Sequence, residues 1–542
     1  MGKRERLAWV ILIAVTLLAH LVALGARPPH HDEAVHCDFA YILLHTGTYQ
    51  YDPTYHGPLL FYIMAPLFAI LGGTTVAGRV YPALAGVALT ALPLLLRRRI
   101  GPAAAWWTGL LLALSPNLLY FSRFIRSDVP VCLFTACALA AFLLVRRKGW
   151  RMVPWIGVAA AAHATSIETI YVYVPLLGVA TCAVAFRDAL RRSAGWARDW
   201  LRQSGIPVLA RLGGLVGLSL GGLVQELWRS LGSAARWVRR YLWAVGTAVA
   251  WFTVITLLAY TVFFVHPEDW LFPLKAVKYW YHQHQIQRVG GPWNFHLIRL
   301  AAYEFLPVIA ALALAVRRWR RLRSIELFCL SWGIAAIALF AYLGEKTPWL
   351  IVHQILPFFP LAGAQLARTF SRQGRWWSRA LAVVGLGATA WSALAANFLY
   401  PTISTADPHA ELLVFVQTTP EEQALARHGL AIAGSDEGVN DAAVTGEGTW
   451  PLSWQWKKLR VWWAMPEPGM RPRLVVSNPE DEATVRQRIG PRYSMERIPL
   501  RAWWVEDYAT LTPRNALTWF LTRKAWSPVG ATDVLVFEKT GS

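Results

Sequence analysis

His30-His31-Asp32-Glu33-Ala34-Val35-His36 follows a basic leader, Lys3-Arg4-Glu5-Arg6, and one long apolar run from Leu7 to Gly25. Two adjacent carboxylates among histidines therefore stand where a chain that has just crossed a bilayer leaves it. Ionisable groups are costly at the edge of hydrocarbon, so a cluster of them marks a functional site. If the first run is a span, the rest of the chain should be a set of spans that builds a site around Asp32 and Glu33.

The 542 residues are 55% hydrophobic, and apolar runs of spanning length recur as far as residue 400. Eleven spans are expected, near 7–25, 77–96, 103–121, 128–145, 152–165, 169–186, 242–265, 301–316, 325–343, 349–367 and 380–399. The leader is laid out like a secretion signal ending at Ala23-Leu24-Gly25-Ala26. Its apolar run is long for a cleavable core, and many spans follow, so it reads as an uncleaved first helix.

The formal net charge of +21 falls mostly in short clusters between apolar runs. That is the distribution of a topology signal, and it excludes nucleic acid as the expected partner. Lys3-Arg4-Arg6, Arg97-Arg98-Arg99, Arg146-Arg147-Lys148 and the basic stretches 187–240, 317–323 and 368–379 should all be cytoplasmic. This bookkeeping settles residues 59–71, an apolar run with Pro66 in its middle. Counted as a span, it would put Arg97-Arg98-Arg99 on the wrong side. As a re-entrant or interfacial helix it keeps them inside, and its length agrees. The N-terminus is then inside and everything after residue 400 outside. Loops 26–76, 122–127, 266–300 and 344–348 and the turn near Glu168 share the outer face of a cytoplasmic (plasma) membrane.

Two regions differ from the rest. In the insertion 187–240, Trp196, Trp200, Leu201, Trp228 and Trp237 are interleaved with arginines, as in basic amphipathic helices lying on anionic lipid. Its glycine-rich apolar centre, Leu215 to Val224, is bracketed by Arg211 and Glu226. Residues 401–542 carry shorter apolar runs. Strands are expected at 412–416, 460–463, 474–476 and 534–537, and helices at 480–489 and 513–526, giving a small α/β domain. No glycine-rich phosphate loop follows any of these strands, so nucleotide binding has no support. The five cysteines, Cys37, Cys132, Cys137, Cys182 and Cys329, form neither a disulfide framework nor a zinc-ribbon spacing.

A carboxylate in an outward loop can take a proton from an acceptor hydroxyl, if it is within reach and its pKa is tuned. On a helix, Asp32 and His36 share a face, as do Glu33 and His36. The plainer alternative is a solvated helix start after Pro28-Pro29, with acids in the first turn for dipole reasons. A divalent metal on Asp32 or Glu33 is a further alternative. The second half of a bundle-type Glu-x-x-His motif is missing, however, and the zinc-protease spacing is not met. Arg123 and Arg126 stand on the outer side against the positive-inside trend. They suit bidentate phosphate binding, or they snorkel toward headgroups, and both readings stand. Loop 266–300, with Gln283, His284, Arg288 and Trp293, combines aromatic faces and hydrogen-bonding groups as a sugar site does. An interfacial aromatic belt is the alternative there. Glu345 and Lys346 add a second outward acid and cation.

The acidic pair after the first span, His56-Gly57-Pro58-Leu59 before a short helix, and Ser122-Arg123 after the third span together resemble the GT-C membrane glycosyltransferases. These include the protein O-mannosyltransferases and the lipid A aminoarabinose transferases. His31 to His36, Gln283-His284 through Gly290-Gly291-Pro292-Trp293, Glu345-Lys346-Thr347-Pro348-Trp349 and Val416-Gln417-Thr418-Thr419-Pro420 resemble a subfamily described as flippase activity-associated. The resemblance implies transfer of a sugar from a polyprenyl-phosphate donor to an extracytoplasmic glycan or protein. Asp32 would be the base and Glu33 its support. Arg126, Arg288 or Lys346 would offset charge on the departing phosphate. Arg123, His36, His56, Gln283, His284, Trp293 and Glu345 complete the expected substrate contacts. The subfamily is expected to carry Lys before the Glu of the sixth-span turn; Ile167 precedes Glu168 here, which diminishes the role expected of Glu168. Two other classes remain: a non-enzymatic export accessory that holds the lipid-linked sugar, and ion-coupled transport. The last would place charges near mid-span, and here they sit at span ends.

Overall fold

A computed structural model describes residues 1–204, 224, 228–229, 232, 235–236, 238–286, 291–434 and 440–540. Half of the expected surface helix in 187–240, including Arg211, Trp237 and Glu226, lies outside the described residues, as does Arg288.

The first 400 residues are predominantly helical. In order they begin α1 (Lys3–Leu21), α2 (His31–Thr46), α3 (Leu59–Leu71), α4 (Thr75–Ala91), α5 (Pro93–Ile100), α6 (Pro102–Leu114), α7 (Pro116–Ser122), α8 (Asp128–Lys148), α9 (Val153–Ala164) and α10 (Ile170–Ser204). Later helices include Leu242–Tyr260, Phe272–Gln285, Ser324–Tyr342 and Trp376–Leu394. Among the described residues, six helical stretches are long and apolar enough to cross a membrane by length and composition, and two bent pairs raise this to eight. The helices also expose large apolar side chains such as Val15, Leu95, Val174, Val316 and Trp376. A soluble protein would bury such surface; a multi-pass membrane protein turns it to lipid.

Several expected spans are interrupted, for local reasons. Residues 103–121 break between α6 and α7 at Ser115, whose hydroxyl caps α7 by accepting from Leu118 N at 3.2 Å. Residues 301–316 bend by 93° around Glu304, and 349–367 bend by 56° before Phe358. α8 and α9 fold back on each other, joined by a 2.9 Å hydrogen bond between Thr135 Oγ1 and His163 Nδ1. α3 occupies the stretch expected to be re-entrant or interfacial. Its 13 residues rise only about 20 Å, short of a ~30 Å hydrocarbon core. α3 docks through Leu59 N to Thr165 O at 2.9 Å. A Cβ at Gly57 would lie 2.2 Å from that same carbonyl, so the approach requires glycine.

Basic segments gather at one end of the bundle. Arg97 pairs with Glu5 at 3.3 Å, and Arg187 Nη1 and Arg191 Nη2 donate to Leu322 O and Arg320 O at 2.8 and 2.7 Å. This end is opposite the ends of α1 and α10 that lead to Asp32 and Glu168.

Residues beyond 400 form the expected small α/β domain, around one six-stranded sheet of order β1-β5-β6-β4-β2-β3. The strands are β1 (Gln417–Thr418), β2 (Ala442–Val444), β3 (Val461–Trp462), β4 (Leu474–Ser477), β5 (Tyr493–Trp504) and β6 (Val529–Lys539). The run 412–416 is not a strand. Leu412, Leu413 and Val414 are buried in the core shared with the helices, and Val416 has φ 48°, which ends any extended run. The domain is tied down by Arg523 to Glu411 at 2.7 Å, Arg299 Nε to Leu412 O at 3.0 Å, Trp454 Nε1 to Thr75 Oγ1 at 2.9 Å and Gln417 Nε2 to Pro28 O at 3.0 Å.

Candidate active site

α1 ends at Leu21, and after Pro28-Pro29 the chain enters α2 with His30 as its N-cap. The His30 imidazole accepts from Asp32 N at 3.0 Å, and Glu33 Oε2 accepts from His30 N at 2.9 Å. This reciprocal arrangement satisfies amides that a helix start leaves free. The other His30 nitrogen meets Phe415 O at 2.9 Å, so the segment that leads into the C-terminal domain braces the same residue.

The two adjacent carboxylates then part. Asp32 faces a cavity of about 580 Å3, and Arg126 Nη1 donates to its Oδ2. Arg126 Nε donates to Asp128 Oδ2 at 2.9 Å, and the guanidinium lies 4.0 Å from the Trp349 ring centroid. Burial would raise the Asp32 pKa, but His30 and Arg126 hold the carboxyl well below its ordinary range. Burial also pushes His30 down, so at neutral pH that imidazole is uncharged and Arg126 is the permanent charge that keeps Asp32 ionised.

Glu33 is placed differently from the expectation that it supports the base inside the site. It is fully buried and does not line the cavity. Arg79 Nε and Nη2 donate to it at 2.8 and 2.5 Å, and Ile125 N donates at 2.9 Å. Against burial, Arg79 brings its pKa down to about 2. Glu33 therefore locks α2 to α4 and to the 122–127 loop. Sequence reasoning passed over Arg79, although a lone arginine inside an apolar run is itself a signal.

The cavity gathers residues from several loops. His36 lines it, with Nδ1 committed to Ile125 O at 3.0 Å, and burial pushes its pKa down to about 4. Across the same space, His56 Nδ1 meets Glu168 Oε2 at 3.1 Å and the Tyr51 hydroxyl donates to Glu168 Oε1 at 3.1 Å. The His56 ring stacks on Trp280 at 5.4 Å. Gln283, His284, Glu345, Tyr55, Tyr279 and Tyr281 complete much of the wall. Glu168, for which Ile167 had diminished expectations, thus sits in the wall with partners of its own.

Three other expected contacts are not in this wall. Arg123 donates to the carbonyls of Ala19, His20, Val22 and Ala23 at 2.7 to 3.2 Å, so it caps the C-terminus of α1. Lys346 Nζ likewise donates to Phe340 O, Ala341 O and Leu343 O at the end of Ser324–Tyr342. Unsatisfied carbonyls at a helix C-terminus attract cations, and both residues answer that demand. Trp293 is exposed and stands outside the cavity. Among the described residues, Arg126 is then the one guanidinium or ammonium group in the lining. As for a metal, Asp32 and Glu33 are committed to different guanidinium groups. Among the described residues no group of three or more His, Cys, Asp or Glu side chains could hold an ion.

The family model of dolichyl-phosphate-mannose-protein mannosyltransferases matches residues 55–200. No curated protein matches the sequence. Among solved structures, ArnT from Cupriavidus metallidurans bound to undecaprenyl phosphate is similar, with TM-score 0.50 and 16% identity over 98% of this chain and 99% of that chain. Its apo state gives TM-score 0.51 and 17% identity over 98% of each chain. The apo oligosaccharyltransferase of Archaeoglobus fulgidus gives TM-score 0.50 and 14% identity over 88% of this chain and 70% of that chain. At these identities the likeness is one of fold.

Proposed function

We propose that this chain, a membrane protein with the GT-C superfamily fold and related to the protein O-mannosyltransferases, transfers a sugar from a polyprenyl-phosphate donor to an extracytoplasmic acceptor. The observation that carries the reading is the Asp32–Arg126 pair at the wall of a cavity lined by aromatic rings and hydrogen-bonding groups. Rings suit the C–H faces of a sugar, and polar side chains suit its hydroxyls. The gathering of basic segments at the far end of the bundle supports placing this cavity, and the α/β domain, on the outer face.

The chemistry is an in-line displacement. The acceptor hydroxyl oxygen bonds to the anomeric carbon as the bond from that carbon to the phosphate oxygen breaks. The bonding electron pair leaves with the phosphate, whose growing charge Arg126 offsets, and the acceptor proton passes to Asp32. A carboxylate held as low as Asp32 is a weak base in the resting site. An anionic donor that draws on Arg126 weakens that hold and makes Asp32 more basic when it is needed. Arg126 thereby couples donor binding to readiness of the base.

The test incubates purified protein with a panel of labelled polyprenyl-phosphate sugars and follows release of free lipid phosphate. Release by the wild type, and its loss in Asp32→Asn with unchanged folding, is the expected result. Near-normal turnover in that variant overturns the assignment of the base. Tight binding of the lipid-linked sugar with no release by the wild type turns the reading to the carrier class.

A further inference from the structure

A second, much smaller cavity lies away from the active site, where α1 ends and the chain leaves its last long helix. Ala23, Leu24, Arg27, Arg79, Arg123 and Asn397 are among its lining residues, and its space is about 10 Å3. That is room for the centre of one water-sized particle. Three guanidinium groups surround it, and their charges are compensated unequally. Arg79 is matched by Glu33 at 2.5 Å. Arg123 is engaged by the four carbonyls that end α1. Arg27, only 7% exposed, donates Nη2 to Arg123 O at 2.7 Å and lies 4.2 Å from the Tyr120 ring centroid. Among the described residues its buried Nε has no hydrogen-bond partner. Among the described residues no carboxylate forms an ion pair with Arg27 or Arg123.

A buried guanidinium that must share one carboxylate, Glu33, with the Arg79 already paired to it is costly to keep. Burial, with repulsion from Arg27 and Arg79, pushes the Arg123 pKa down to about 10, which reflects the same local excess of positive charge. A water in the cavity would leave the excess charge uncompensated. A lipid headgroup phosphate, with four oxygens, is too large for the space. We propose that this cavity, lined by Arg27, Arg79 and Arg123, binds a single halide-sized anion, chloride under ordinary conditions. The ion braces the segment that leads from α1 to Asp32, because Arg79 Nη1 donates to Leu24 O and Arg27 O at 2.7 and 3.0 Å on its way to Glu33. The site is independent of the sugar-transfer reading, and its test requires no turnover.

The experiment uses the full chain in nanodiscs of uncharged phospholipid, at constant ionic strength, with chloride or bromide exchanged for gluconate. The expected result is a thermal midpoint that rises with the logarithm of halide concentration, as mass action on the folded state requires. Arg27→Met should lose that dependence. Because this variant could fail to fold, crystals of the wild type grown in bromide supply the second measurement. An anomalous peak in the space between Arg27, Arg79 and Arg123 supports the site. Midpoints indifferent to halide together with no peak at Arg27, or stabilisation that appears only on adding anionic lipid, overturns it.

Discussion

Asp32 and Glu33 are joined by one peptide bond, yet Arg126 holds the first at the cavity wall while Arg79 holds the second in the protein interior. Successive helical residues point about 100° apart, so only one of the pair can face the substrate. The two carboxylates should therefore fail differently. Glu33→Gln leaves Arg79 buried without a counter-charge, which costs about 3–5 kcal/mol. It should lower the thermal midpoint sharply or prevent recovery of folded protein. Asp32→Asn alters a side chain that is 30% exposed, so its midpoint should stay close to wild type while turnover falls by about 100-fold or more. A stable, active Glu33→Gln protein would show that the Arg79 pair is not needed to hold α2.

Arg126 bridges Asp32 and Asp128 and stacks on Trp349, a combination that uses the planar, forked shape of guanidinium. Lysine keeps the charge but cannot make both contacts and the stack at once. Arg126→Lys is expected to fold and to lose about 100-fold in kcat, the size of effect seen when one preorganised charge-stabilising donor is removed. The acid limb of its pH–rate profile should also move up, because the guanidinium that depresses Asp32 is displaced. Unchanged kcat with a raised donor KM would instead make Arg126 a simple binding group.

The sequence was legible where cost makes chemistry visible. Polar residues in loops between apolar runs stood out, and Asp32, His36, His56, Arg126, Gln283, His284 and Glu345 do line one cavity. It was not legible where a side chain turns at a helix end. Arg123 and Lys346 look like phosphate ligands by loop and by charge, and both cap carbonyls. Lys346 follows Tyr342, the end of its helix, by four residues, so that competing demand could have been read. Glu33 and Arg79 are separated by 46 positions, and nothing local pairs them. The run 412–416 has strand composition, but burial against both helices and sheet, and the φ of Val416, override it.

His56 and Glu168 form the wall that faces the Asp32 side, and the stacked Trp280 fixes the imidazole plane. With Nδ1 engaged by the carboxylate, Nε2 is left for a sugar hydroxyl. A contact of that kind is made equally to bound substrate and transition state, so its loss is read in KM. His56→Ala should raise the donor KM by about tenfold, the worth of one hydrogen bond near the upper end of its range, with kcat within roughly twofold. Glu168→Gln should have a smaller effect of the same kind. A kcat loss of several orders in either variant, at constant KM, would move the pair from binding into the chemistry.

Glu422 lies in the C-terminal α/β domain, fully buried in the helix Pro420–Ile432. Gln455 Nε2 donates to its Oε2 at 3.2 Å, and among the described residues Oε1 has no hydrogen-bond partner. Burial pushes its pKa up to about 8, with Gln455 and Arg501 only partly opposing this. The folded protein therefore holds this proton at pH 7, whereas the unfolded chain releases it near the ordinary glutamate value. A raised acid stabilises the fold fully below that ordinary value, and the contribution is lost as pH rises toward 8. Glu33, held low by Arg79, acts in the opposite direction and at lower pH, where its pairing is lost as acid is added. The two effects occupy separate windows. Thermal midpoints measured from pH 5 to pH 9 should thus fall for the wild type relative to Glu422→Gln, which keeps the shape and cannot ionise. The variant should be the more stable protein at pH 8, and parallel curves would show that Glu422 is already ionised in the fold.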